Sequence, residues 1–313
     1  MKCRRCGGQA QMRLPQYNTA LCTADFIAFF EKRVSHTIRK YGLLGGKGKT
    51  LVAVSGGKDS LSLWYLLNKL GFPADGIYIN LGIDGYSEVS FRKTAMMADR
   101  LQRRLYSFSL SETFSKGVSE LARTTKRPAC SLCGMVKRYV MNRACTQYGY
   151  AVLATGHNLD DEASALLGNV LHWKEEYLWK KAVALEAEGD SLAKKVKPFF
   201  LCSEKEAAAY ALVNQIDYVY EECPYSKGAK TLLYKGLLNR IEDVSPATKI
   251  AFVKGYLKRA GEESAKGQEE KSKASCRECG YPSYNEQCNF CRLVERFGTG
   301  SAVRFHTYEP SPS

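Results

Sequence analysis

The residues best suited to chemistry are Ser55, Gly56, Gly57, Lys58, Asp59 and Ser60, which follow directly on the apolar run 51–54. A buried strand that empties into such a turn is built to hold phosphate. Two glycines let the backbone bend tightly and present N–H donors to an anion. Lys58 and the Ser55 and Ser60 hydroxyls add charge and hydrogen bonds where the next helix begins. Leu61, Leu63, Trp64, Leu66 and Leu67 give that helix its apolar face, and Gly71 ends it. The spacing of the Walker loop is absent. A glycine-serine turn that binds nothing is the alternative.

Four groups of cysteines come next. Cys276-x-x-Cys279 and Cys288-x-x-Cys291 are two chelating pairs a short loop apart, the arrangement by which four thiolates wrap a tetrahedral Zn2+. At the other end Cys3, Cys6 and Cys22 offer three thiolates, and Asp25 stands three residues beyond Cys22 as a fourth ligand; His36, water or no metal at all are the alternatives. Cys130-x-x-Cys133 and the distant Cys223 are one ligand short of a closed site. Three cysteines on an iron–sulfur cluster would leave one iron open to an outside ligand; a redox pair, or thiols that merely pack, are the competing readings. Cys145 and Cys202 read as small buried hydrophobes.

The segment 156–162, Gly-His-Asn-Leu-Asp-Asp-Glu, follows a second apolar strand and opens a helix, so its acids also gather at the ligand-binding edge of a sheet. Asp161 is the acid assigned to the site, to hold Mg2+ or handle protons. Asp160 reads as a solvated helix-capping acid. Lys137, one turn past Cys133, could reach a phosphate or a carbonyl, with a surface lysine as the default.

These residues need an α/β frame. Strands at 51–54, 76–80, 105–109, 151–155 and 196–200 alternate with helices at 61–70, 90–101, 134–148, 161–171 and 204–213, the signature of a parallel sheet covered on both faces. An amphipathic helix over 26–41 precedes them. The expected organisation is a zinc finger at 1–25, the α/β domain at 26–260, a linker at 261–275 within a charged stretch that starts near Gly255, a zinc ribbon at 276–298, and a loose tail at 299–313. Residues 173–194 read as a long loop or a helical excursion.

In 313 residues, Lys plus Arg exceed Asp plus Glu by 46 to 32, a net +14, and nineteen tyrosines are available for stacking. Such a balance suits a polyanion, RNA first. No apolar run reaches a membrane span, and residues 1–6 carry charge and cysteine where a signal peptide needs an apolar core. A cytoplasmic protein is expected, and reduced surroundings favour metal-binding cysteines over disulfides.

The Ser55–Ser60 loop resembles the PP-loop of the ATP pyrophosphatases, which split ATP into AMP and pyrophosphate. With Cys3-x-x-Cys6, Cys130-Ser131-Leu132-Cys133-Gly134, the 156–162 segment, Glu222-Cys223-Pro224-Tyr225-Ser226 and the last cysteine quartet, the chain resembles the tRNA 2-thiolation family of TtcA/TtuA type nearly end to end. The resemblance implies an enzyme that adenylates C2 of a uridine with ATP and Mg2+ and replaces its oxygen with sulfur. The T-loop 5-methyluridine 54 is the first choice of target and wobble uridine 34 the second. It implies ATP contacts at Ala53, Ser55, Gly56, Gly57, Lys58, Asp59, Ser60, Ile79, Gly156 and Asp161, catalytic roles for Lys137 and Asp161, and a 4Fe-4S cluster on Cys130, Cys133 and Cys223. Two zinc sites, a ubiquitin-like sulfur carrier with a thiocarboxylated tail, and a homodimer complete the implied set. Asp25 departs from the histidine that usually closes the first zinc site of this family. A PP-loop ligase or amidotransferase and a non-catalytic zinc-finger RNA-binding protein are the rival readings.

Overall fold

The computed structural model describes residues 1–46, 48–178, 184–187, 191–226, 230–264, 274–299 and 303–311. The chain opens with a hairpin, β1 (Met12–Leu14) against β2 (Thr19–Leu21), that runs into helix α1 (Thr23–Lys40). Alternation then sets in: β3 (Lys49–Val54), α2 (Lys58–Lys69), β4 (Ala74–Asn80), α3 (Tyr86–Leu101) and β5 (Leu105–Ser109). Helices α4 (Leu110–Phe114), α5 (Val118–Thr125) and α6 (Ala129–Tyr148) precede β6 (Tyr150–Thr155) and α7 (Leu159–Leu171). Short elements α8 (Glu175–Leu178), β7 (Ala184–Leu185) and β8 (Lys194–Val196) lead to α9 (Glu204–Val213). Helices α10 (Lys230–Val244) and α11 (Thr248–Ser264) follow, which the sequence reading leaves unassigned. A ribbon of β9 (Ala274–Ser275), β10 (Pro282–Ser283) and α12 (Asn289–Phe297) comes next, and then β11 (His306–Tyr308).

Seven strands form one sheet in the order β11-β5-β4-β3-β6-β8-β7, with the five inner strands parallel and both edge strands antiparallel. Because β4 lies on one side of β3 and β6 on the other, the chain reverses its winding at β3. Ligands in open α/β sheets bind in the crevice beyond the carboxyl ends of strands at such a point. The phosphate loop leaves β3 there.

Alternate side chains of each strand feed opposite faces. Val52 joins the core under α1, α2 and α9, where Phe26, Phe30, Trp64, Phe199 and Tyr210 are fully buried, each worth about 1.5–3 kcal/mol relative to exposure. Leu51 and Leu153 face the other core, built from α5, α6 and the ribbon, and two ribbon cysteines, Cys276 and Cys288, are buried in it. Among the described residues no helix is long and apolar enough to cross a membrane.

Three expectations need correction. The apolar run 196–200 is a strand only to Val196; Phe199 and Phe200 are buried from a turn, since a short apolar run does not distinguish the two. The charged stretch from Gly255 is helical as far as Ser264, because Val253 and Ala260 are buried on that helix; residues 265–273 of the expected linker lie outside the described residues. The tail is not loose where β11 pairs with β5, His306 opposite Ser107, and Tyr308 donates to Asp99 at 2.8 Å. Within 173–194 the described residues include α8 and β7, and residues 179–183 and 188–190 lie outside them.

Candidate active site

Gly56 shapes the loop. Its φ is +76°, and a Cβ there would lie 2.7 Å from the Ser90 carbonyl oxygen of α3, so only glycine lets the turn close against that helix. Gly57 is the N-cap of α2 and offers no side-chain cap, which leaves the first N–H groups of the helix available to an anion. Within the turn the Ser55 N–H donates to Ser60 Oγ at 3.1 Å, and that hydroxyl donates to the Gly57 carbonyl at 3.0 Å. Gly156, at the exit of β6, passes beneath the first turn of α2, where a Cβ would stand 2.9 Å from Asp59 and Ser60 backbone atoms.

Five charged side chains interlock beside this loop. Lys58 Nζ lies 2.7 Å from Glu204 Oε1 and 3.2 Å from Asp59 Oδ2. Lys235, on α10, lies 3.1 Å from Glu204 Oε2 and 2.7 Å from Asp161 Oδ1. Burial alone would lower both lysines; the carboxylates outweigh it and hold their ammonium groups above the usual lysine range. Burial pushes Asp59 up to about 6, with Lys58 pulling it down and Glu204 and Asp161 adding to the rise. Glu204 sits below the usual carboxylate range, since Lys58 and Lys235 outweigh its burial. Asp59 Oδ1 is buried without a hydrogen-bond partner.

The two aspartates at the head of α7 part company. Asp161 closes a capping box, its Oδ2 accepting the Asn158 N–H at 3.1 Å while Asn158 Oδ1 accepts from the Asp161 N–H. Asp160 is buried, contrary to the expectation of a solvated cap. It pairs with the equally buried Lys249 of α11 at 2.6 Å and accepts the Glu204 N–H at 2.7 Å, which fixes the start of α9 and hence Glu204.

A cavity of about 350 Å³ opens beyond β3. Its walls include Ala53, Ser55, Gly57, Asp59, Ser60, Ile79, Gly156 and Asp161, together with Lys137, Cys133 and Cys223. Gly56, Lys58 and Cys130 are not on its wall, and Lys58 is engaged by Glu204. Residues from distant segments meet here for local reasons. The Val219 N–H donates to the Gly56 carbonyl at 2.9 Å and so lays the 217–223 segment over the phosphate loop. Cys130 and Cys133 are on the first two turns of α6, and the exposed Cys130 thiol donates to the Tyr225 carbonyl at 3.2 Å. Burial pushes the Cys133 thiol up, Lys137 draws it down, and Cys223 and Cys130 push it further up.

Two other cysteine groups are tighter. The ligand atoms of Cys3, Cys6, Cys22 and Asp25 all lie within 4.8 Å of one another, as do those of Cys276, Cys279, Cys288 and Cys291. A tetrahedral ion with Zn–S bonds of 2.3 Å needs sulfurs about 3.8 Å apart. Cys6 and Cys22 are at 3.7 Å and Cys279 and Cys288 at 3.8 Å. Asp25 Oδ2 is 3.1 Å from Cys3 Sγ and 3.2 Å from Cys22 Sγ, and hydrogen bonds from Cys3, then Cys22 and Cys6, hold its carboxyl below the usual range. Exposed His36 is not in that group. Cys276 is brought down to about 7: burial opposes, and backbone N–H groups led by that of Cys288 outweigh it.

Sequence reasoning misses Glu204 and Lys235. The capping box Ser203–Glu206 marks where α9 begins and so hints at Glu204, but nothing local singles out Lys235.

Residues 2–27 match the N-terminal LIM domain of the 2-thiouridine synthetase TtuA, and residues 27–227 match the PP-loop domain family. The tRNA-5-methyluridine(54) 2-sulfurtransferase of Thermotoga maritima is 41% identical over 94% of this chain and 96% of its own length. That of Pyrococcus horikoshii is 43% identical over 94% and 93%. The U34-tRNA thiolase NcsA of Methanococcus maripaludis, solved with its 4Fe-4S cluster, superposes with a TM-score of 0.80 at 26% identity, covering 97% of this chain and 99% of that one. On fold, motif and near full-length identity, the chain belongs to the TtuA-type PP-loop family of tRNA 2-thiolation proteins.

Proposed function

We propose that this protein is an ATP-dependent tRNA 2-sulfurtransferase acting on C2 of 5-methyluridine 54. Oxygen on C2 of a pyrimidine is a poor leaving group, so it is first made a good one. The C2 oxygen attacks the α-phosphorus of ATP and pyrophosphate leaves; sulfide-level sulfur then adds to C2 and AMP departs with the oxygen. Base, ATP and HS− become thiolated base, AMP and pyrophosphate, and the proton of HS− ends on pyrophosphate. No redox step is needed.

The observation that carries this reading is the shared cavity, whose wall carries the phosphate loop and Asp161 together with Lys137, Cys133 and Cys223. The Ser55–Ser60 turn and the start of α2 would hold the pyrophosphate, with Lys58 turning from Glu204 to the phosphates. Ala53, Ile79 and neighbouring apolar side chains would seat adenine. The orphaned Asp59 Oδ1 fits Mg2+, with Asp161 on the same cavity wall as a second carboxylate. Lys137 would steady the leaving AMP oxygen or transfer a proton there.

Cys130, Cys133 and Cys223 fit an iron–sulfur cluster: among the described residues they are not among the groups drawn to single-ion spacing, and α6 turns its positive end to two of them. When bound, a three-cysteine 4Fe-4S cluster supplies one open iron to take up sulfide. The two tight groups fit Zn2+ as structural staples. The family likeness extends the proposal to a ubiquitin-like thiocarboxylate carrier as sulfur donor and to a homodimer.

Two relatives named for uridine 54 are above 40% identical, against 26% for the U34 thiolase, which favours the T-loop. Nucleoside mass spectrometry of a deletion strain tests this: loss of thiolated ribothymidine is expected, and loss of thiolated wobble uridine instead would reassign the target. Changing Cys130, Cys133 or Cys223 to Ala should abolish thiolation while ATP binding persists; full activity in any of them would remove the cluster mechanism.

A further inference from the structure

We propose that the hollow between α6 and the β9–β10–α12 ribbon is a second RNA site, taking the base of an unpaired nucleotide that flanks the modified uridine. The proposal rests on the tRNA thiolase reading and says how that substrate is gripped. The hollow has a volume of about 200 Å³, with Arg138 from α6 facing Tyr281, Tyr284, Asn285 and Asn289 from the ribbon.

Its floor is rigid. Tyr139 stacks on Phe290 with ring centres 3.9 Å apart and planes within 6°, both nearly fully buried, and Tyr281 leans on the Tyr139 ring at 5.3 Å. Tyr284 at the rim is the opposite, 64% exposed. An aromatic ring held in water beside a hollow gains when a flat apolar partner covers it. A wider cavity of about 520 Å³ shares Tyr284 and Asn285 and adds Arg277 and Arg292, with Glu286 3.9 Å from Arg277.

Unpaired RNA bases are recognised by stacking on aromatic rings, by hydrogen bonds to their edges and by cations on the adjoining phosphates. Tyr284 supplies the first, Asn285 and Asn289 the second, and Arg138, Arg277 and Arg292 the third. Three guanidiniums against two carboxylates, Glu286 and the Glu278 that lies 3.2 Å from Arg277, leave a net positive charge that favours a polyanion over a protein surface.

Placement supports the same occupant. Helix α6 divides the two sites: Cys133, Lys137 and Met141 line the reaction cavity, while Met135, Arg138 and Tyr139 line the hollow. A helix is about 10 Å across, a span that one or two nucleotides of a single strand can bridge. Arg138 folds back over Gly134, where a Cβ would meet its guanidinium at 3.1 Å, so its charge sits one residue from Cys133.

The test measures equilibrium binding of an unmodified tRNA transcript to the full-length, metal-loaded protein, in parallel with ATP binding. Tyr284→Ala should weaken tRNA binding at least about fivefold and Tyr284→Phe by less than about twofold, since stacking needs only the ring. Arg138→Ala should lower the slope of log affinity against log salt by about one, and ATP affinity should hold in all three. The site is overturned if Tyr284→Ala and Arg138→Ala both bind tRNA within about twofold of the parent with an unchanged salt slope. It is also overturned if Tyr284→Ala keeps tRNA affinity but loses sulfur transfer from a carrier protein, which would make the hollow a protein-docking surface. A parent protein that binds the transcript no better than an unrelated RNA of equal length would sink the thiolase reading as well.

Discussion

Lys235 Nζ stands 2.7 Å from Asp161 Oδ1, although the two residues belong to helices α10 and α7 and are 74 positions apart in the chain. Because Asp161 Oδ2 is already taken by the Asn158 N–H, Lys235 fixes the remaining freedom of that carboxylate. In the proposed function Lys235 is therefore a positioning residue. Lys235→Met should slow tRNA-dependent pyrophosphate release about 10–100-fold, the usual cost of losing a group that orients a functional carboxylate. Lys235→Arg should recover part of the rate with little change in KM for ATP. Equal loss in both variants would reduce Lys235 to a structural contact.

Asp59 gives a pH signature. Its carboxyl, raised to about 6 by burial, holds its proton in the folded chain over a range where the unfolded chain has released it. The stability it contributes is therefore full below about pH 4 and is lost as pH rises through about 6. Asp59→Asn removes that dependence. Urea unfolding should show the variant gaining on the parent by roughly 1–2 kcal/mol between about pH 5 and pH 7; a gap that stays constant would mean Asp59 is ionised throughout.

Gly56→Ala should lose ATP binding, since the new methyl meets the Ser90 carbonyl at 2.7 Å on a backbone with φ of +76°. Strain of this kind costs about 1–3 kcal/mol. Calorimetry with ATP and a thermal melt of the same sample check both effects, and normal ATP affinity would show that the loop can reshape.

On the proposed ligation of Zn2+ by Cys3, Cys6, Cys22 and Asp25, Asp25→His should make that site harder to strip, because imidazole is a more usual partner than carboxylate for zinc held by thiolates. Competition with a chromogenic chelator reads this directly. One of two equivalents should leave more slowly in the variant, and faster in Asp25→Ala.

The Asp160–Lys249 pair is 4% exposed on each side, so removing one member strands a charge. Lys249→Met should cost about 3–5 kcal/mol. It should also loosen Glu204, whose N–H rests on Asp160. Chemical unfolding of the variant measures the first effect, and its ATP affinity the second.

Much of the site is legible in the sequence because its chemistry is written at helix starts. Cys22 and Asp25 are the N-cap and third residue of α1, and Cys288 and Cys291 hold the same two positions on α12, each N-cap sulfur accepting the N–H three residues on at 3.4 Å. A CxxC or CxxD spacing is therefore also a helix-start geometry, and short-range patterns of this kind survive in one dimension. The phosphate loop is legible for the same reason.

What escapes is long-range. Lys58 is expected on the phosphates, yet Glu204, 146 residues away, holds it. Asp160 looks solvated until α11 covers it, and the charges of 255–264 conceal the buried Val253 and Ala260 of the same helix. Strand β11 has no apolar alternation to announce it; backbone pairing with β5 and the Arg104–Glu309 bridge at 2.7 Å hold it in place.

That edge strand sews the ribbon down on its far side, while the buried thiols of Cys276 and Cys288 stitch its near side into the core beneath β3 and β6. The ribbon is thus a strap fastened at both ends across α6 and not a pendant finger. With Zn2+ on its four thiolates as proposed, the strap would brace the helix that carries Cys130 and Cys133, so an ion with no part in the proposed chemistry would govern how firmly those two sulfurs are aimed.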